Sequence, residues 1–226
     1  MTDKIHSSQV KLMAVSRGGE DGRRYLNQRL RFTCADYNPP AHCVVSVDVT
    51  GMVEYWVPEE PYNIPDTVDF EVKSQTDLYE FKKKKAVPLS LTFSPDFSLF
   101  ACICGGDLNV RVFRFRTGKL YREYDESITA VTNLHQAKML GVKIDDMEFG
   151  RRIALERELL KGPQSRYCNV VFDESGYFLT YGTLVGIKTI NIYTNRVVSI
   201  LGSTEPHRFI NLALFQGSSK KSKVSL

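Results

Sequence analysis

A unit of short apolar strands separated by tight turns recurs along the chain and constrains the fold more than any other feature. In its clearest copy, Leu89–Phe93 and Leu99–Cys104 are apolar strands on either side of the turn Ser94-Pro95-Asp96. Two further strands follow: 109–115, which alternates polar and apolar residues, and 120–124, after the turn Thr117-Gly118-Lys119. Such short runs bounded by Gly, Pro and Asp are typical of antiparallel β-strands. The unit therefore predicts a four-stranded antiparallel sheet.

Two less regular copies extend the pattern over most of the chain. The later copy has strands over 169–172, 177–182, 187–193 and 196–201, and the earlier copy over 31–35, 43–49, 52–56 and 68–73. Small sheets that repeat in series bury their faces only by stacking on one another. We therefore predict an all-β chain, a partial β-propeller of about three four-stranded blades plus the first strand of a fourth, with a helical insertion.

The repeats divide the chain into a divergent N-terminal segment, a propeller part and a basic tail. The N-terminal segment is 1–29, the propeller part 30–217 and the polar tail 218–226. Within the propeller part, the blades lie at about 30–75, 88–124 and 167–202. The inserts lie at 57–87 and 125–163, and the next blade starts at 207–217. Within the second insert, Met147–Leu160 has the spacing of a helix, with Asp145 or Asp146 as its N-cap and with Arg152 and Glu156 paired one turn apart.

Composition narrows the class of protein. The chain has 226 residues, 42% of them apolar and 25% charged, which is ordinary for a soluble domain. Its net charge of +4 comes from two lysine runs, Lys82–Lys85 and the group Lys220, Lys221 and Lys223, so general attraction to nucleic acid is not indicated. No apolar run has the roughly 18 residues of a membrane span. Five dispersed cysteines and the absence of a secretory signal favour an intracellular chain without a membrane partner.

No catalytic, cofactor or metal site follows from the residues. The glycines fit neither a phosphate-binding loop nor a nucleophile elbow, and Cys102 and Cys104 lack a second close pair of zinc ligands. We therefore expect no cofactor and no small-molecule substrate. The candidate interaction residues are charged side chains of the two inserts. The Lys82–Lys85 run suits nuclear import, RNA contact or a solvated loop, and the helix either docks on the sheets or presents itself to a partner. The candidate interaction residues are therefore Lys82, Lys83, Lys84, Lys85, Glu148, Arg151 and Arg152.

Several strings resemble the WD-repeat half of the nuclear WD-repeat-containing cyclophilins, the peptidylprolyl isomerase domain and WD repeat-containing proteins. Three of them fall in the loops and inserts: GMVEYW at 51–56, TDLYEF at 76–81 and DMEFGRR at 146–152. The others are RFRTGKL at 114–120, GTLVGIK at 182–188 and LALFQG at 212–217. The matches keep their order along the chain, and the loop and helical strings are not dictated by a sheet fold.

This resemblance implies a WD40-type β-propeller, a nuclear location and protein partners in the spliceosome. In that family a separate cyclophilin domain isomerises X-Pro bonds, with an Arg in a Phe-His-Arg stretch that this chain lacks. We therefore predict a protein-interaction scaffold that is not itself an enzyme, because the catalytic domain is absent. Two alternatives stay open: a fragment of a peptidyl-prolyl cis-trans isomerase named for its full-length family, or an RNA-contacting adaptor that uses the Lys82–Lys85 loop.

Overall fold

The computed structural model describes residues 32–217, so the segment 1–29 and the tail 218–226 lie outside the described residues. The strands are β1 (Phe32–Asn38), β2 (Cys43–Asp48), β3 (Val53–Trp56), β4 (Val87–Phe93), β5 (Leu99–Gly105), β6 (Val110–Arg114), β7 (Leu120–Tyr124), β8 (Val170–Phe172), β9 (Phe178–Thr183), β10 (Gly186–Asn191) and β11 (Arg196–Leu201). The α-helices are α1 (Glu80–Lys83), α2 (Ile128–Gln136) and α3 (Asp146–Lys161), and 3₁₀ turns occupy Lys73–Gln75 and Pro163–Tyr167. Across residues 32–217, each helix is too short or too polar to cross a membrane.

The strands form three separate sheets, each of them antiparallel. Their orders are β1-β2-β3, β4-β5-β6-β7 and β8-β9-β10-β11, so every strand pairs with its neighbour in sequence. The predicted series of small antiparallel sheets with few helices is confirmed. The predicted propeller is not confirmed, because the pairing of the described strands does not show that the three sheets stand around a common axis.

The second sheet lies between the other two and is apolar on both faces. Alternate residues of β5 point to opposite faces. Phe100 and Cys102 join the apolar cluster shared with the first sheet. Ala101 and Ile103 join the cluster shared with the third sheet. This position explains why the Leu99–Cys104 run is continuously apolar rather than alternating.

The predicted outer strand 68–73 is not a strand in the structure, and the first sheet has three strands. The backbone N–H of Asp69 donates to the carbonyl of Arg116 at 2.8 Å. The N–H groups of Glu71 and Val72 donate to the side-chain oxygen of Gln75 at 3.0 and 3.5 Å. Because these donors are bonded outside any ladder, the alternating pattern of this segment does not produce a strand.

The predicted start of a fourth unit, 207–217, is also not a strand. Side-chain amides, instead of strand pairing, link it to β8 and to the residue before β8. Asn169 donates from Nδ2 to the carbonyl of Leu212 and accepts from its N–H, both at 2.8 Å. Gln216 donates to the carbonyl of Phe172 at 3.3 Å. The segment therefore runs past the third sheet as an extended strap.

Helix α3 begins where the sequence predicts. Asp145 is its N-cap and accepts from the N–H of Glu148 at 2.9 Å. The predicted pair between Arg152 and Glu156 does not form. Arg152 binds Glu148, and Glu156 binds Arg208, because both side chains face the chain segment that follows the third sheet. Helix α2, capped by Ser127, was not predicted.

The Asp145 cap makes a measurable contribution to stability. Replacing Asp145 with alanine leaves the N–H of Glu148 without its acceptor, and we expect a loss of about 1 kcal/mol of unfolding free energy. Urea titration followed by circular dichroism at 222 nm measures it. The matched control is Asp145→Asn, which keeps a side-chain oxygen at the cap and should lose much less. Equal losses for the two variants would show that the cap hydrogen bond is not the cause.

Candidate functional site

The turns at one end of the first two sheets line a cavity of about 360 Å³ that is widely open to solvent. Two of these turns form for local reasons. After β1, His42 N–H closes the Asn38-Pro39-Pro40 turn by donating to the Pro39 carbonyl at 3.1 Å. Between β4 and β5, Phe97 N–H donates to the Ser94 carbonyl at 2.9 Å. The residues that line the cavity are Asn38, Pro40, Ala41, Thr67, Asp96, Phe97, Phe115 and Arg116.

Asn38 joins the two turns. Its side chain is almost fully buried and uses both ends of its amide. Nδ2 donates to the carbonyl of Phe97 at 3.3 Å, and Oδ1 accepts from the N–H of Ala41 at 3.1 Å. Phe97 has a φ of 58°, a left-handed conformation that is unusual for an aromatic residue. The Asn38 bond fixes the Phe97 backbone and so places its ring at the cavity.

Aromatic rings form the floor of the cavity. Phe115 is 2% exposed and stacks on Tyr55 with 5.3 Å between ring centroids. Phe93 contacts both Phe115, at 5.8 Å, and Phe97, at 5.9 Å. The floor is therefore continuous with the core between the first two sheets and is held rigidly by it.

One carboxylate and one guanidinium stand at the rim. Asp96 accepts from the hydroxyls of Ser94 and Ser98, each at 2.6 Å. Burial alone would raise the pKa of Asp96, but these hydrogen bonds lower it below its usual value, so the side chain is ionised at neutral pH. Arg116 is exposed, and its Nη2 donates to Asp69 at 2.8 Å. Asp69 thus balances the Arg116 charge, whereas Asp96 has only neutral donors.

This arrangement can bind a ligand through an apolar floor, the Asp96 carboxylate, the Arg116 guanidinium and the Thr67 hydroxyl. The five cysteines are free thiols outside its lining, and burial raises the pKa of Cys34, Cys43 and Cys104 to about 12. Within the range 32–217, no cluster of three or more metal-ligating side chains occurs. The geometry suits a small ring with an adjacent polar group.

The structure places the predicted lysine run on and after helix α1, outside the cavity lining. Lys82 and Lys83 lie in α1, and Lys84 is its C-cap. Lys84 donates to Glu123 at 2.9 Å, and Lys83 lies 3.5 Å from Glu80. Carboxylates therefore balance part of the positive charge of this run. Contact of Lys82–Lys85 with RNA or an import receptor stays a prediction.

Glu148, Arg151 and Arg152 hold helix α3 to the rest of the chain. Both arginines donate to Glu148, and these hydrogen bonds lower its pKa to about 2. Arg152 is buried and also donates to the carbonyls of Val185, Ser203 and Glu205 at 3.3, 2.8 and 2.8 Å. The exposed Arg151 donates to the carbonyl of Pro206 at 2.9 Å. A role of the three residues in partner binding stays a prediction.

The cavity residues were not predicted as a site. The sequence identified Asn38-Pro39-Pro40 and Ser94-Pro95-Asp96 only as turns. Asn38 and Phe97 lie 59 positions apart, so their proximity depends on how the sheets pack. Two prolines followed by an alanine, and an aspartate between two serines, are the only local signals that could have drawn attention to these turns.

Comparison with known proteins identifies homologues. The chain is 55% identical over 189 residues to "Peptidyl-prolyl cis-trans isomerase cyp15" of Rhizopus delemar, covering 84% of this chain and 30% of that protein. It is 52% identical over 189 residues to the human "Peptidylprolyl isomerase domain and WD repeat-containing protein 1", covering 83% of this chain and 29% of that protein. These proteins are homologues of the chain. A Schizosaccharomyces pombe protein, "Peptidyl-prolyl cis-trans isomerase 9", is 36% identical over 236 residues, covering 97% of this chain and 38% of that protein.

The extent of these matches limits what they show. The chain spans less than two fifths of the length of each of the three relatives. No family model matches it. Among solved structures, a putative 6-phosphogluconolactonase from Bacteroides uniformis aligns with a TM-score of 0.41 and 14% identity, over 77% of this chain and 41% of that one, which is too weak to support an argument.

These findings correct the functional prediction. We expected a protein-interaction scaffold that is not an enzyme. Relatives that match 84% and 97% of the chain are named peptidyl-prolyl cis-trans isomerases, which overturns that expectation and favours the isomerase alternative. The assignments to a WD repeat and to a β-propeller are not supported either, because no family model matches and the strand pairing of the described residues shows only three separate sheets.

Proposed function

We propose that the chain is part of a peptidyl-prolyl cis-trans isomerase and takes part in the isomerisation of X-Pro bonds in protein substrates. The observation that carries this proposal is the 36–55% identity, over most of the chain, to proteins with that name. The activity remains a proposal because the chain corresponds to 30–38% of the length of those two proteins.

The cavity is compatible with what prolyl isomerisation physically requires. Rotation about a peptide bond has a barrier of about 18–20 kcal/mol. An isomerase lowers it by holding the prolyl ring while the bond twists, a step that needs binding groups and no nucleophile. The cavity beside Phe97 and Phe115 has an apolar floor and a guanidinium donor, Arg116, at its rim. It therefore supports the proposal as a place where a substrate segment binds.

The predictions about the arrangement of the sheets, the location of the protein and its partners stay proposals. Packing of the second sheet against the first and the third supports the interpretation of the three sheets as consecutive repeat units that stack in series. The nuclear location, the spliceosomal partners and the RNA contact rest on the resemblance and on the lysine run alone.

The proposal is tested in the Rhizopus relative, whose matching stretch is exchanged for that of this chain. The assay is the refolding of a protein whose slow phase is limited by prolyl isomerisation, a step of about 10–100 s without catalyst. We expect the chimera to accelerate this phase as the parent does, and a variant from which the stretch is deleted to lose at least tenfold in rate enhancement.

The matched control is a chimera that carries an unrelated β-domain in place of the stretch, which should behave like the deletion. The 226-residue chain is assayed beside them, and acceleration by it alone would place catalysis in its own residues. If the deletion variant retains the full rate enhancement and the 226-residue chain shows none, the chain takes no part in the reaction and the proposal fails.

A further inference from the structure

The cavity between the β1–β2 and β4–β5 turns has the size of a site for a short peptide segment. Its volume of about 360 Å³ lies at the lower end of the roughly 300–1,000 Å³ range of small-ligand pockets. It therefore accepts one or two residues of an extended chain, whereas a folded partner would contact only its rim.

The lining favours a prolyl ring as the buried part of the ligand. Phe97 presents part of an aromatic ring and Pro40 an apolar ring, while Phe115, which is 2% exposed, backs the floor. Aromatic-lined grooves bind proline-rich segments because these segments are already extended and lose little entropy on binding. Phe115 is fixed by its stack on Tyr55, so the floor needs no reorganisation.

The charges at the rim favour a cation beside that ring. Asp69 balances Arg116 through the contact at 2.8 Å. Asp96 receives hydrogen bonds only from Ser94, Ser98 and backbone N–H groups, so its negative charge has no positive counterpart among these contacts. Its two oxygens are held in place by those donors, which pre-organises them for a ligand.

We propose that this cavity binds a short peptide segment in which a proline stands next to a lysine or arginine. The prolyl ring packs on Phe97 and Pro40, the basic side chain pairs with Asp96, and an N–H of Arg116 donates to a peptide carbonyl. The inference rests on the proposed function, since it names the class of X-Pro sequence that the chain would hold.

Fluorescence anisotropy with a labelled peptide, Gly-Gly-Lys-Pro-Gly-Gly, and the 226-residue chain tests this site. Exchanging the peptide's proline for alanine, or its lysine for glutamate, should weaken binding at least tenfold. Filling the cavity by Thr67→Trp should do the same. Because Thr67 is exposed, the variant should fold, which circular dichroism checks. The matched control is Thr194→Trp, an exposed threonine in the β10–β11 turn, which should bind as the wild type does.

Asp96→Asn separates charge from shape. The asparagine has nearly the same shape, keeps an oxygen for the Ser94 hydroxyl and the Ser98 N–H, and can donate from its amide to the Ser98 hydroxyl oxygen. We therefore expect at least fivefold weaker binding of the Lys-Pro peptide and an unchanged affinity for the same peptide with glutamine in place of lysine. Absence of binding at millimolar peptide, preference for the Glu-Pro peptide, or indifference to Thr67→Trp would overturn the assignment. If these results appear while the exchanged stretch still supports isomerisation in the chimera, the site assignment fails and the proposed function stands.

Discussion

Replacing Glu156 with alanine should lower the free energy of unfolding by about 3–5 kcal/mol, among the largest losses expected in this chain. Glu156 is 1% exposed, and both of its oxygens accept from Arg208, Oε2 from Nε at 2.6 Å and Oε1 from Nη2 at 2.9 Å. The variant leaves the largely buried guanidinium of Arg208 without a counter-ion. Removing one member of a buried pair costs far more than the pair contributes, because the remaining charge is not solvated.

Urea denaturation followed by tryptophan fluorescence gives the loss, provided that the slope with urea is unchanged. Glu158→Ala is the matched control, since Glu158 lies on the same helix and is exposed, and it should change stability by less than about 0.5 kcal/mol. The double variant Glu156→Met with Arg208→Leu removes both charges and should recover most of the loss. A loss below about 1 kcal/mol for Glu156→Ala would show that water reaches Arg208.

This pair matters because it is one of the contacts that hold helix α3 against the chain segment after the third sheet, residues 203–209. Arg152 binds the carbonyls of Ser203 and Glu205, and Arg208 continues the contact through Glu156. Beyond it, a Cβ at Gly182 would lie 2.3 Å from the carbonyl oxygen of Phe209, so the strap runs directly against β9. The extended conformation of 209–217 therefore depends on side-chain contacts from two elements and not on strand pairing.

Strand positions were the most predictable part of the fold. Predicted strands 120–124 and 196–201 match β7 and β11 residue for residue, because turn residues lie directly beside both segments and fix their ends. The pattern failed over 68–73, where Gln75 competes for the backbone donors of Glu71 and Val72. Such side-chain competitors do not change the apolar period and so cannot be detected from it.

The candidate site was not predictable from the sequence, although its parts were visible. Both turns were recognised, yet nothing in the residues says that Asn38 reaches the carbonyl of Phe97. That contact follows from the packing of the first sheet on the second. Likewise, the helix spacing suggested that Arg152 binds Glu156, whereas each side chain turns toward a segment about 50 residues away. Long-range partners decide which of several permitted local pairs forms.

Replacing Phe113 with alanine should destabilise the chain by about 3–5 kcal/mol through a cavity between the first two sheets. Phe113 is fully buried, stacks on Phe100 with centroids 5.3 Å apart and interplanar angle 12°, and contacts Phe81 at 5.2 Å. Phe100 contacts Tyr55, whose ring stacks on Phe115 at the cavity floor. The same variant should therefore also weaken peptide binding at the cavity.

Urea denaturation measures the stability loss, and anisotropy with the Lys-Pro peptide, in buffer where the variant is still folded, measures the binding. Phe215→Ala deletes the same group at a position that is 88% exposed and should change stability by no more than about 0.5 kcal/mol. Phe113→Leu should lose less than Phe113→Ala, because leucine refills part of the space. If Phe113→Ala and Phe215→Ala lose equal stability, the ring does not link the sheets. If stability falls while peptide affinity stays the same, the rings connecting Phe113 to Phe115 are coupled in packing but do not set the shape of the cavity floor.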